Sequence, residues 1–266
     1  MSLYHHESFK SGTLPLLFIH ADLGSQKQWR HAFETFKNTH TVISYDRRGH
    51  ENSPQPSDQR FDYEAEVNDL LQLTDSLKLS TFVLVAHSGG AAIAFLFANK
   101  YPEKVKGLFL VDPAQSGMAF SHVVRSEMQK RIEELPVETT SFFYESIAGE
   151  NPSVVSEVLS DVKKTDPETI IGTSRALSSF DPSTVDLKYK GPALVLEQTK
   201  NDGPYSIAYL GYYLQTHVDG LGHWIQMADP ERVETELSDF LKFSEARFGN
   251  SRSLERRANS SDNYVR

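Results

Sequence analysis

Residues 84–91 read Leu84-Val85-Ala86-His87-Ser88-Gly89-Gly90-Ala91. An apolar, β-rich run, Thr81-Phe82-Val83-Leu84-Val85, leads into small-x-Ser-x-Gly, and an alanine-rich helical run follows. This is the pattern of a nucleophile elbow, a strand–turn–helix so tight that the flanking positions, here Ala86 and Gly90, must be small. Strain in such a turn lifts the serine above the sheet. The helix that follows brings backbone N–H groups beside it, which favour negative charge. The pattern predicts Ser88 as a nucleophile. A small-x-Ser-x-small stretch also arises by chance in ordinary strand–helix turns, so the weight of this one depends on its flanks.

Working outward, short apolar runs recur on both sides. Leu14–His20, Thr41–Tyr45, Phe82–Val85, Gly107–Val111, Pro192–Leu196 and Tyr212–Val218 read as strands. Helical periodicity lies between them, at Tyr63–Leu77, Ala91–Asn99 and Glu231–Phe243. Strands alternating with helices predict an α/β fold with a mostly parallel sheet covered on both faces. Active sites of such folds lie at the carboxyl ends of strands. The alternation breaks between Asp112 and Pro192, where helices are expected over about 117–135, 137–148, 151–163 and 166–179. Asn151-Pro152 and Asp166-Pro167 each read as an N-cap with proline in the first turn. The expected organisation is therefore a core from residues 1–112 and 192–248, with 113–191 inserted as a helical cap over the strand ends. The polar stretch 249–266 lacks periodicity and is expected to be disordered.

A serine hydroxyl needs a base within hydrogen-bond reach, and the base needs an orienting acid. His223, in Gly220-Leu221-Gly222-His223-Trp224, follows the last expected strand by a glycine-bearing turn and is the candidate base. Two aspartates lie at strand ends. Asp202, after the Pro192–Leu196 strand, is the first choice for the acid, and Asp112, in Val111-Asp112-Pro113, is the second. A tetrahedral oxyanion needs N–H donors. The amide of Gly89 is one candidate and the amide of Asp22, in the loop His20-Ala21-Asp22-Leu23-Gly24, is the other. His87 reads as a packed side chain.

Composition narrows the remaining classes. The 266 residues carry a formal charge of −9 and no cysteine. Disulfides, thiolate metal sites and cysteine nucleophiles are excluded. The acidic balance argues against nucleic-acid binding. No apolar run approaches a membrane span, and the start of the chain shows no signal peptide, so a cytoplasmic location is expected. No His/Asp/Glu cluster has metal-ligand spacing. No cofactor or metal is expected, and the expected partner is a small-molecule substrate.

Five segments in order give the chain its resemblance to the α/β-hydrolase superfamily, over most of residues 14–243. His20-Ala21 through Trp29 resembles the oxyanion loop. Asp46-Arg47-Arg48-Gly49-His50-Glu51-Asn52-Ser53 resembles the Asp-x-Arg-Gly-His-Gly-x-Ser loop, and Ala86–Gly90 resembles the Gly-His-Ser-Met-Gly elbow. Pro192–Leu196 resembles the strand leading to the acid, and Gly222-His223-Trp224 with Asp229-Pro230-Glu231-Arg232-Val233 resembles the histidine loop. The resemblance implies an α/β-hydrolase fold with a helical cap and a Ser-acid-His triad in that chain order, which matches Ser88, Asp202 and His223. There are departures. Ala21 and Asp22 put a carboxylate beside the expected oxyanion site, where it opposes an oxyanion unless it turns away or is protonated. Gly89 stands where methionine is usual. Asp202 comes about one residue late and only 21 positions before His223. Both facts raise Asp112, because some relatives, such as haloalkane dehalogenases and cofactor-free dioxygenases, take their acid after the strand matching Gly107–Val111.

The implied reaction is hydrolysis of a small or medium carboxylic ester or lactone through an acyl-serine. Carbon–carbon bond hydrolases, cofactor-free dioxygenases and perhydrolases reuse the same elbow, and a non-catalytic binding protein on this fold is a further alternative. A serine at the elbow argues against dehalogenase or epoxide hydrolase chemistry, which uses a carboxylate there.

Overall fold

In the computed structural model, which describes residues 3–198, 203–211 and 213–261, the strand Leu16–Ile19 shows how the core is divided. Its Leu16 and Phe18 face one apolar cluster and its Leu17 and Ile19 another, as the two-residue repeat of a strand requires. All four are fully buried, so the sheet is covered on both faces.

In chain order the elements are β1 (His5–Ser8), β2 (Leu16–Ile19), α1 (Arg30–Phe36), β3 (Val42–Tyr45), α2 (Tyr63–Ser76), β4 (Phe82–His87), α3 (Gly89–Lys100) and β5 (Val105–Val111). There follow α4 (His122–Glu134), α5 (Pro136–Ile147), α6 (Pro152–Lys164) and α7 (Pro167–Ser179), then β6 (Ala193–Glu197), α8 (Ile207–Leu210), β7 (Leu214–His217), α9 (Ile225–Ala228) and α10 (Pro230–Ser261). The seven strands lie in the order β1-β3-β2-β4-β5-β6-β7, all parallel except β1. This is the α/β-hydrolase architecture expected above. The chain runs outward from β2 to β3, then crosses back to β4 and continues the other way. The switch point lies between β2 and β4, which is where open parallel sheets hold their ligands.

The six expected strands are present. The seventh, β1, is antiparallel to β3 at the sheet edge. Its sequence, His5-His6-Glu7-Ser8, is polar and only half-buried, so no apolar run announces it. The expected helix over 117–135 is divided: a single 3₁₀ turn at Gly117–Ala119 is followed by α4, whose N-cap Ser121 accepts from the Val124 N–H. The last helix continues to Ser261, past Gly249, where a disordered tail was expected. Its extension takes in Leu254-Glu255-Arg256-Arg257-Ala258, all good helix formers.

Helices α4–α7 occupy the space between β5 and β6 in the chain. Asn151 and Asp166 cap α6 and α7 as the sequence predicts, with Pro152 and Pro167 in the first turns. Val154, Val158 and Val162 form one stripe on α6 at helical spacing. That stripe packs on Ala148, Trp224 and Met227 at one end and on Leu23 and Ile170 at the other. The helical block thereby rests on the loops that follow β2 and β7.

Candidate active site

The elbow is strained as its sequence demands. Ser88 has φ 54° and ψ −123°, in the left-handed half of backbone space. Surrounding bonds hold it there: its N–H donates to the Val111 carbonyl at 3.1 Å, and its carbonyl accepts from Ala91 N–H at 2.9 Å. Gly90 has to be small because a Cβ would meet the His20 carbonyl oxygen at 2.5 Å. The elbow of β4–α3 thus packs directly on the end of β2.

His223 reaches this serine from the loop after β7. Its Nε2 lies 2.7 Å from Ser88 Oγ, and its Nδ1 lies 2.6 Å from Asp112 Oδ2. The His223 backbone is held at both ends. Its N–H donates to the Ile147 carbonyl of α5 at 2.8 Å, and its carbonyl lies 2.8 Å from His87 Nε2. Gln226 Nε2 lies 3.0 Å from the other His87 nitrogen, Nδ1. Burial, then the neighbouring His223, holds His87 well below the usual histidine range, so it is neutral. Its Nε2–H then donates and its Nδ1 accepts. His87 is a packed, hydrogen-bonded side chain, as expected.

The carboxylate beside His223 is therefore that of Asp112, the second choice from sequence. Its other oxygen accepts from the Gln198 N–H at 3.1 Å, and its own N–H donates to Leu196 at 2.7 Å. Asp202, the first choice, lies outside the described residues. The parallel pairing of β5 with β6 ties Asp112 into the sheet end beside the histidine loop. Ser88, His223 and Asp112 form one hydrogen-bonded chain that is mostly covered, with about 17 % of the His223 and Asp112 side chains exposed.

The loop after β2 lies across the switch point from the elbow. The Ala21 N–H faces Gln28 Oε1 at 3.4 Å and the Leu23 N–H donates to His50 Nε2 at 3.1 Å. Between them, the Asp22 amide takes no partner among the described residues. The Ala21 carbonyl, which belongs to the same peptide as that amide, is held by His20 Nδ1 at 2.7 Å. His20 Nε2 in turn accepts from the Arg47 N–H at 2.9 Å. Burial, then His50 and Arg47, pushes His20 well below the usual histidine range, so it is neutral with its proton on Nδ1.

The Asp22 carboxylate turns to Arg47, whose Nη1 lies 2.8 Å from Oδ1, while the Tyr63 hydroxyl donates to Oδ2 at 3.2 Å. Arg47 also forks onto Glu66 on α2, at 2.7 and 2.6 Å. Burial opposes the charge on Arg47, but Glu66 and Asp22 outweigh it and hold the guanidinium well above its ordinary value. Burial likewise raises Glu66. The carboxylate at Asp22 is thus neither isolated nor aimed at the space above Ser88 without a counter-charge. Arg47 was visible in the Asp-x-Arg-Gly-His segment, but its role was not. The signal was Arg47-Arg48 opposite Glu66 and Asp69, charges that fall on the buried side of α2: Arg48 Nε pairs with Asp69 at 2.6 Å in the same way.

From the helical block, the Tyr144 hydroxyl donates to the Asp22 carbonyl at 3.0 Å. Its ring is 5.2 Å from that of Trp224, which meets His223 edge-on at 5.0 Å. Among the described residues no group of three His, Asp or Glu side chains is placed to hold a metal ion, and no helix is long and apolar enough to cross a membrane.

Comparisons with known proteins bear on the fold and the family. The chain is 26 % identical to an abhydrolase domain-containing protein of Schizosaccharomyces pombe over 256 residues, covering 85 % of this chain and 92 % of that one. It is 23 % identical to epoxide hydrolase 1 of Caenorhabditis elegans, over 89 % of this chain and 67 % of that one. Among solved structures, the enol-lactonase of Burkholderia xenovorans LB400 superposes with a TM-score of 0.79 at 17 % identity, over 90 % of this chain and 96 % of that one. A thermophilic esterase of Thermogutta terrifontis gives 0.78 at 21 %, over 91 % and 93 %. At that identity these two establish the fold alone. The family model for the alpha/beta hydrolase fold matches residues 15–148, and the chain belongs to that family.

Proposed function

We propose that the protein hydrolyses a small or medium carboxylic ester or lactone through an acyl-serine intermediate. The observation that carries this reading is the continuous chain from Ser88 Oγ to His223 Nε2, and from His223 Nδ1 to Asp112, at the switch point of the sheet. Ser88 Oγ attacks the carbonyl carbon while His223 Nε2 takes its proton. Asp112 keeps the other imidazole proton on Nδ1 and balances the imidazolium that forms. The oxyanion faces the amides of Asp22 and Gly89, the second at the N-terminus of α3, where the helix dipole adds to the field. The alcohol leaves with the proton from Nε2. Water, deprotonated by the same nitrogen, then releases the acid and restores Ser88.

On this reading residues 113–191 act as the cap. Tyr144, Ile147 and Ala148 bring α5 against both catalytic loops, and Ser88 keeps only 7 % of its surface exposed, which favours a small molecule over a polymer. Epoxide opening, which the names of some relatives carry, does not suit a chain with Ser88 at the elbow.

The test is intact-mass analysis after exposure to a fluorophosphonate, on wild type and Ser88→Ala in parallel. A single adduct on wild type that is missing from the variant is expected, together with hydrolysis of short-chain esters by wild type only. An unlabelled wild type would remove the nucleophile from the reading.

A further inference from the structure

We infer that the Asp22 carboxylate is a specificity determinant that selects acyl groups carrying a hydrogen-bond donor, a hydroxyl or an ammonium, next to the reacting carbonyl. The inference rests on the acyl-serine reading above.

Asp22 and Gly89 form one wall. A Cβ at position 89 would collide with both carboxylate oxygens of Asp22, so the carboxylate fills the place of the side chain that Gly89 lacks. Gly89 directly follows Ser88, and the amides of residues 22 and 89 are the two proposed donors to the oxyanion. The carboxylate therefore borders the space where the acyl group must lie.

A purely structural ion pair does not account for it. Arg47 already has a counter-ion, because its Nε and Nη2 engage both oxygens of Glu66. Asp22 is a second carboxylate on a guanidinium that is paired without it, and two buried carboxylates around one arginine cost more than one. Nor is it sealed away. The Asp22 side chain keeps 9 % of its surface exposed, against none for Arg47 and 3 % for Glu66, so the cluster opens at the carboxylate. Each carboxylate oxygen has two acceptor sites. Arg47 takes one on Oδ1 and Tyr63 takes one on Oδ2. Each oxygen thus keeps a second acceptor site. A hydroxyl or ammonium on the carbon next to the carbonyl matches that position, whereas an alkyl group there desolvates the carboxylate and gives nothing back.

Three near-isosteric esters test this in the intact protein by proton release: ethyl lactate (hydroxyl), alanine ethyl ester (ammonium) and ethyl isobutyrate (methyl). Wild type should favour one or both donor-bearing esters over isobutyrate by about tenfold or more in kcat/KM beyond the ratio of their hydroxide-catalysed rates, the range of a hydrogen bond to a charged group. The two donor arms show which donor it is. Asp22→Ala, which keeps the amide but removes the acceptor, should bring the ratio to within about threefold; the readout is the ratio, so a general loss of rate does not obscure it. If Asp22→Ala fails to fold, the wild-type ratio decides after division by the ratio of the hydroxide-catalysed rates of the same esters, which removes the inductive activation by the α-substituent. A fluorophosphonate-labelled wild type that shows no preference, or that turns over none of the three esters, overturns the inference and leaves the serine-hydrolase reading standing. So does a preference that survives Asp22→Ala. Absence of labelling removes that reading, and the inference with it.

Discussion

Two aspartates follow strands of the same sheet, Asp22 after β2 and Asp112 after β5, and each is paired with a base: Arg47 at 2.8 Å, His223 at 2.6 Å. The partners differ in the one property that matters. Arginine does not release its proton in a protein, and Arg47 is wholly buried, so the Asp22 pair is fixed. His223 joins Asp112 to Ser88 Oγ, and the Asp112 pair keeps about 17 % of each side chain exposed. Similar distances thus hold a buried ion pair in one place and, on the proposed reading, a proton relay in the other. What separates them is the partner side chain and its access to solvent, and neither is visible in an aspartate's own sequence context.

The sharpest way to break this comparison is to treat the two pairs alike. Asp112→Asn removes the charge that balances the imidazolium and permits the wrong tautomer. Ester turnover should fall on the order of 10⁴-fold, with little change in melting temperature. Asp202→Asn, made beside it, should stay within a few-fold of wild type. A larger loss from Asp202→Asn than from Asp112→Asn would hand the acid role to Asp202 and dissolve the contrast.

Arg47→Met applies the complementary insult. It leaves Asp22 and Glu66 buried without a counter-charge, and the loss should appear in stability, about 3–5 kcal/mol by denaturant unfolding. If the cost comes from orphaned carboxylates, adding Asp22→Leu and Glu66→Leu to Arg47→Met should recover most of it. A single Arg47→Met variant of wild-type stability would show that the pair holds nothing.

How much of this was legible follows the same division. Apolar runs marked β2–β6, because a strand buried on both faces has to be apolar throughout, whereas the half-buried edge strand β1 carries no such mark and β7, at the other edge, is itself partly exposed and mostly polar. Ser88 and His223 were legible because an elbow and a glycine turn constrain their neighbours as well as themselves. The aspartate beside His223 was not, because any aspartate at a strand end fits. The register of β5 against β6 brings Asp112 within reach of His223 Nδ1, and no local pattern announces that. Tyr144 stands in none of the sequence motifs. Its contact with the Asp22 carbonyl joins residues 122 positions apart and leaves no local pattern.

A weaker perturbation probes the fixed region through pH. His50 accepts from Leu23 N–H and contacts the Arg48 carbonyl through Nδ1 at 2.8 Å. Burial, then Arg47, depresses it from 6.5 to about 3. The unfolded chain therefore takes up this proton first, so the His50 contribution is complete above pH 6.5 and declines as pH falls from there towards 3. His50→Gln should lose about 1–3 kcal/mol at pH 7.5, from the two disturbed hydrogen bonds. Its melting temperature should also fall less steeply than that of wild type between pH 6.5 and 4.5. Parallel curves would mean that His50 is protonated in the folded protein, against its burial.

The smallest change asks whether the fixed pair is isolated from the helical block. Tyr144→Phe deletes the donor to the Asp22 carbonyl and keeps the ring against Trp224. Burial of the phenol, which raises its pKa further, makes that hydroxyl a standing donor. Its loss leaves one buried carbonyl lone pair unmet and should cost about 1 kcal/mol of stability. The same carbonyl adjoins the Leu23 N–H held by His50, and the other amide of Asp22 is a proposed oxyanion donor. Loosening this end of the loop should therefore lower kcat a few-fold with KM unchanged. A Tyr144→Phe enzyme with wild-type kcat and only the stability loss would place α5 outside the catalytic assembly. Loss of kcat at constant KM would instead show that the scaffold pair and the proton relay share a support, and that the helical block provides it.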